Sequence, residues 1–114
     1  MTHYSEVADS VFMQIKQGQK IIEPRLNDAA HKRLHLGDML VIINRSTRQE
    51  VLAKVVGLLR YPTFEALFAA FPPRYFGVDD AQAMRQEVAR WYTTESEAAH
   101  GVLGVKLHVL RASA

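Results

Sequence analysis

Two apolar segments, Met39–Asn44 and Val51–Arg60, read as the clearest strands of this chain, and the polar stretch 45–50 between them is a loop of hairpin length. Around that pair the other elements are short and irregularly spaced. Ile21 to Leu26 reads as a strand, but Pro24 cannot donate to a ladder, which places that strand at an edge or a bulge. Val102 to Leu110 closes the chain as a strand with Val105, Leu107 and Val109 on one face. Asp9 or Ser10 can cap a short helix carrying Phe12 and Ile15 and ending at Gly18. Asn27 or Asp28 can open another short helix through Leu34, and Gly37-Asp38 reads as a turn. Thr63 caps a helix with Phe64, Leu67, Phe68 and Phe71 at helical spacing, stopped by Pro72-Pro73. Asp79 with Gln82 forms a capping box for a helix through Tyr92, whose stripe Met84, Val88 and Trp91 reads as core. Thr94 with Glu97 forms a second box before Gly101. No βαβ rhythm joins these pieces. The expected fold is therefore α+β: a mixed or antiparallel sheet, curled or closed, with short helices packed at its ends.

At 114 residues the chain is expected to be a single domain over residues 1–114, able to bury one core without a disulfide or metal staple. It contains no cysteine, which excludes thiol chemistry and zinc–thiolate sites and suits a reducing cytoplasm. No apolar run, Met39 to Ile43 among them, is long enough to cross a bilayer, and the first residues lack the features of a secretory signal. A cytoplasmic location with no membrane partner is expected. Of the five histidines only His31 and His35 stand at i, i+4 spacing, with no third ligand at metal-site spacing, so neither a metal nor a cofactor is expected. The net charge of +2 and the pI near 9.1 permit a nucleic-acid partner without demanding one. There is no Gly-x-Gly-x-x-Gly and no Gly-Lys-Ser/Thr for a dinucleotide or nucleotide phosphate.

The charge that matters clusters in Lys20-Ile21-Ile22-Glu23-Pro24-Arg25. Alternation puts Glu23 and Arg25 on one strand face as an ion pair, while Lys20 lies at the strand's entry, where a bend could bring it to either side. An acid between two bases can orient a hydrogen-bonding ligand: the guanidinium fork reads phosphate or a base edge, and the carboxylate accepts from an exocyclic amine. A partly desolvated lysine beside a carboxylate can also carry a proton. The plain alternative is an edge strand whose charges deter aggregation. Asn44, Arg45 and Arg48 stand at the hairpin loop, where they can cradle a phosphate or simply be solvated, and Tyr61 ends the next strand, where it can stack a base or cap the barrel.

The run Phe12 to Leu26, ending Gly18-Gln19-Lys20-Ile21-Ile22-Glu23-Pro24-Arg25-Leu26, resembles the opening signature of the ASCH domain (activating signal cointegrator homology). The resemblance continues through the turn and strand Leu36 to Arg45, the segment Val55 to Tyr61, Phe64-Glu65-Ala66-Leu67, and Gly101-Val102-Leu103-Gly104-Val105. It implies a PUA-like β-barrel that binds RNA or a modified nucleoside in a cleft beside Lys20, Glu23 and Arg25, with Asn44, Arg45 and Tyr61 at its rim. One bacterial branch of the family hydrolyses N4-acetylcytidine with a lysine, a threonine three residues later and a distant glutamate, and other members are associated with RNA cleavage. Lys20 matches that lysine, whereas Glu23 stands in the threonine's place and removes the hydroxyl nucleophile. Glu65 is a candidate for the distant acid. If the chain is an enzyme, an amidohydrolase or a ribonuclease, Lys20 and Glu23 are its expected catalytic pair.

Overall fold

The computed structural model describes residues 1–112. Strands β1 (Thr2–Val7), β2 (Ile22–Leu26), β3 (Met39–Asn44), β4 (Glu50–Tyr61) and β5 (Val102–Ala112) form one mixed sheet in the order β1-β3-β4-β5-β2. Helices α1 (Asp9–Lys16), α2 (Phe64–Ala70), α3 (Ala81–Ala89) and α4 (Thr94–His100) connect them. The expected hairpin is β3–β4, in register from Met39 opposite Lys54 to Ile43 opposite Glu50. β4 and β5 form the long antiparallel spine, with register shifts near Leu52/Ala53 and Val55/Gly57. Such bulges bend the strands and increase their twist, which curls the sheet.

Both ends of the strand order are edges. β2 pairs only with β5, so Pro24, opposite Gly104, faces no partner on its other side, and its missing N–H breaks no ladder. The other edge is β1, which runs parallel to β3 from Thr2 opposite Met39 to Val7 opposite Asn44. The residues of β1 carry little strand signal, since Tyr4 and Glu6 point to solvent and only Val7 is buried. Asp38 ties its start down, accepting from His3 Nε2 at 2.8 Å and from the Met1 amine at 3.3 Å.

Two clusters fill the interior. Phe12 and Ile15 of α1 pack with Ile42, Val51, Val55, Leu103 and Leu107 inside the curl. Each such fully buried side chain contributes about 1.5–3 kcal/mol of transfer free energy. Across the sheet, Ile22 and Val102 meet Phe64, Leu67 and Phe68 of α2, with Phe76 and Met84. Gly104 makes this second contact possible: a Cβ there would lie 3.0 Å from Ile22 Cγ2 and 3.1 Å from Leu67 Cδ1.

Several local expectations shift. The segment before Leu34 forms only a 3-10 turn over His31–Arg33, whose first N–H and ring bond Asp28. Helix α1 begins after Ala8 without a side-chain cap, because the Asp9 carboxylate instead accepts from Asn44 Nδ2 at 2.8 Å. Asp80, not Asp79, caps α3, and Thr93 caps α4. Glu97 is drawn away from a capping box to accept from the Phe64 backbone N–H. Helix α3 stops at Ala89, so the apolar stripe passes from Met84 and Val88 to Tyr92, which stacks on Phe64 with centroids 5.4 Å apart. Trp91 is left outside the core, 70% exposed, with its indole N–H donating to Glu87.

Candidate functional site

The entry to β2 is held from two sides. The Lys20 N–H donates to Gln14 O of α1 at 3.1 Å, Ile21 N donates to Tyr75 O at 2.9 Å, and Lys20 bridges Phe76 in antiparallel fashion. This clamp takes Lys20 out of the alternation of the strand, so its side chain reaches Glu23 three residues on instead of pointing to the opposite face. Gly77 forms the facing wall with φ +82°; a Cβ there would meet Gln14 Oε1 at 2.9 Å and Lys20 Cβ at 3.1 Å. The Gln14 amide donates to the Gly77 carbonyl at 2.7 Å and closes the clamp.

Within this frame Lys20 Nζ lies 3.2 Å from Glu23 Oε2, and Arg25 lies 3.5 Å from Glu23 Oε1. The side chains of Lys20 and Glu23 are 11% and 19% exposed, so the pair is partly desolvated and its attraction is stronger than that of a surface pair. Glu23 Oε2 is shielded from solvent and receives no directed hydrogen bond; the neighbouring ammonium charge is what compensates it. Two cations around one carboxylate leave the triad with a net charge of +1.

The triad lies on one wall of a cleft of about 560 Å³, within the range of small-molecule sites. Its opposite wall comes from Glu6, Val7 and Val11, and α3 with the residues after it closes one end through Val88, Trp91 and Tyr92. Arg45 enters at the mouth, positioned by its N–H donating to Val7 O at 2.9 Å. Glu6 at the same mouth is paired with Arg48 at 2.6 Å, and that hydrogen bond holds the Glu6 carboxyl below its usual titration range. Across the lining, Lys20, Arg25 and Arg45 are balanced by Glu6, Glu23 and Glu87. The cleft is a polar slot with an aromatic wall, not a uniformly cationic groove.

A smaller cavity of about 210 Å³ lies on the other side of Glu23 and Arg25, lined by His3, Tyr4, Ser5, His31 and Leu34 among others. Residues of both edge strands line each cavity. The sheet has therefore curled until β1 and β2 face each other across an open seam, and the cavities are successive compartments of it.

Of the residues singled out in the sequence, Lys20, Glu23, Arg25 and Arg45 meet in the cleft. Asn44 and Tyr61 do not. Asn44 is fully buried: its amide is spent on Asp9, and its carbonyl accepts from Ser46 N at 2.9 Å, which organises the loop into β4. Tyr61 packs edge-on against Phe71 in the second core, where its strand pairs with β5. Glu65 is exposed on α2 and held by both ends of the Arg85 guanidinium at 2.7 Å, outside the cleft. Trp91, Gln14 and, from β1, Glu6 and Val7 also line the cleft without a sequence signal for it: the helical periodicity runs past the end of α3, and the exposed polar residues of β1 hide its strand character. Among the described residues no three His, Asp or Glu side chains are grouped to hold a metal ion, and no helix is long and apolar enough to cross a membrane.

The sequence model of the ASCH domain matches residues 6–110. No curated protein matches the chain. Among solved structures, the crystal structure of the protein PH0355 is similar with a TM-score of 0.85 at 21% identity, covering 96% of this chain and 100% of that one. The solution structure of PF0455 from Pyrococcus furiosus gives a TM-score of 0.77 at 23% identity over 97% of this chain and 99% of that one. A mutant of ZmASCH from Zymomonas mobilis gives 0.70 at 14% identity, covering 96% of this chain and 71% of that one. At these identities the likeness extends to the fold: an α+β, PUA-like curled sheet.

Proposed function

Because this chain belongs to the ASCH domain family, we propose that its cleft binds RNA or a nucleoside by gripping a nucleobase between the Lys20–Glu23–Arg25 triad and the Trp91 side. The convergence of the three charged side chains on one wall of a base-sized slot carries this reading. A carboxylate flanked by two donors complements a base edge that offers an exocyclic amine beside a ring nitrogen or carbonyl acceptor, as cytosine and adenine do. Uracil has no exocyclic amine, but its N3–H between two carbonyl oxygens offers the same carboxylate a donor flanked by acceptors. The balanced charge of the lining also favours recognition of a base over diffuse attraction to a polyanion.

The test is calorimetric titration with cytidine, adenosine, uridine and a short single-stranded RNA at low salt. At least one of the three nucleosides should bind, and Glu23→Gln should weaken it about tenfold or more, one charge-assisted hydrogen bond being worth about 1.5–3 kcal/mol. Binding of none of these ligands sinks the reading.

A second reading is favoured by Glu23 Oε2, shielded and without a directed hydrogen bond beside the Lys20 ammonium. In it, Glu23 draws a proton from water, the hydroxide adds to the acyl carbon of an N4-acetylcytidine-type substrate, and Lys20 protonates the departing amine, releasing acetate and cytidine. For the related cleavage of RNA the same pair would serve a phosphodiester. Lys20→Ala should then abolish turnover with the fold intact. Absence of turnover by the wild-type protein on both N4-acetylcytidine and single-stranded RNA removes this reading.

A further inference from the structure

The compartment beyond Arg25 has a use that a lone nucleoside would not need. Arg25 and Glu23 line both cavities, so the triad stands at the waist of a slot that continues along the seam between β1 and β2. Arg25 uses one terminal nitrogen toward Glu23, is 28% exposed, and keeps its other donors for a ligand at the waist. Beyond it the lining is polar and ringed: Ser5 is half-buried, His3 and His31 are held by Asp38 and Asp28 through one ring nitrogen each, and Tyr4 stands at the rim 72% exposed. An exposed tyrosine at one end of the slot and an exposed tryptophan at the other give one aromatic ring to each compartment.

Resting on the nucleobase reading of the first compartment, we propose that the seam is a two-nucleotide site for single-stranded RNA: the first base lies by Trp91 and the triad, the linking phosphate at Arg25, and the neighbouring base against Tyr4. The triad's charge of +1 suits one phosphate at this point, whereas a longer polyanion would find the acids of the lining unfavourable. Stacking on an exposed ring is tolerant of base identity, so the second position contributes affinity and the first contributes choice.

Trp91 is the only tryptophan of the chain, so its fluorescence reports directly on the first compartment. The experiment titrates the wild-type protein and Tyr4→Ala with cytidine and with the dinucleoside monophosphate CpA, followed by tryptophan fluorescence and by calorimetry. The dinucleotide should bind at least about tenfold tighter than cytidine, with a logarithmic salt slope of about −0.7 for its single phosphate. Tyr4→Ala should weaken the dinucleotide by about fivefold or more and leave cytidine unchanged. Cytidine binding with no gain for the dinucleotide overturns the two-nucleotide site and leaves the first compartment's reading standing. Binding of neither overturns both. Equal loss of both ligands in Tyr4→Ala overturns the assignment of Tyr4 to the second position.

Discussion

At the scale of single residues, the cleft rests on the ion pair between Lys20 and Glu23. Lys20 and Glu23 are each largely withdrawn from water, and each compensates the other. Removing one partner leaves a charge with too little compensation, which costs more than removing both. Lys20→Met keeps the aliphatic stem packed beside Gly77 and deletes only the ammonium. It should destabilise the protein by about 1–3 kcal/mol in chemical denaturation, while Lys20→Met with Glu23→Gln recovers part of that loss. Strictly additive losses would show that the pair is not coupled. Gly77 is the residue that admits the lysine: with φ +82° and Gln14 and Lys20 against it, Gly77→Ala should cost about 1–2 kcal/mol for the left-handed backbone alone and should also weaken ligand binding.

At the scale of elements, β1 and α2 are held by different forces. β1 contributes only Val7 to the core, and Asp38 secures its first residues. The hydrogen bond from His3 chiefly, helped by the His35 N–H and the terminal amine and opposed by burial, holds the Asp38 carboxyl down to about 2. A carboxylate with a depressed value stabilises the fold above its ordinary titration range, near pH 3.9, and loses that contribution as pH falls through its folded value. The wild-type protein should therefore lose stability between about pH 4 and pH 2 more steeply than Asp38→Asn, measured by urea denaturation across that range. Parallel pH profiles would contradict this. α2 is held instead by close packing over Gly104, whose neighbours Ile22 and Leu67 are fully buried and cannot swing into solvent. Gly104→Ala should lower stability by about 1 kcal/mol or more, the overpacking exceeding the gain from a stiffer unfolded chain.

At the scale of the whole molecule, the decisive feature is that the sheet curls without closing. A closed barrel has no edges; here two edges face each other, and their separation makes the slot. A ligand lodged there touches β1, β2, α1 and the end of α3 together, so it should bind the folded state alone. At a hundredfold excess over its Kd, cytidine or CpA should add about 2.7 kcal/mol to the unfolding free energy, seen as a rise in Tm. A ligand that binds without raising Tm would have to bind outside this frame.

Much of this was readable from residues alone. The β3–β4 hairpin, the Thr63-capped helix and the closing strand follow from periodicity, caps and breakers, which act over a few neighbouring positions. Pro24 alone indicated that the charged strand lies at an edge or a bulge, and the strand order makes it an edge. That Glu23 and Arg25 share one strand face was likewise visible, because it depends on strand spacing, whereas the direction of Lys20 was not. What only the tertiary structure decided is which surfaces meet. β1 has too few apolar residues to announce itself and is a strand because β3 supplies its hydrogen bonds. Asn44 and Tyr61 stand close in sequence to the expected rim, yet packing turns one into a loop organiser and the other into core. Trp91 lies beside the cleft because α3 ends two residues before it. A sequence determines local geometry through forces that decay within a turn or a strand; a cleft between two edges far apart in the chain exists only once long-range pairing has curled the sheet around its core.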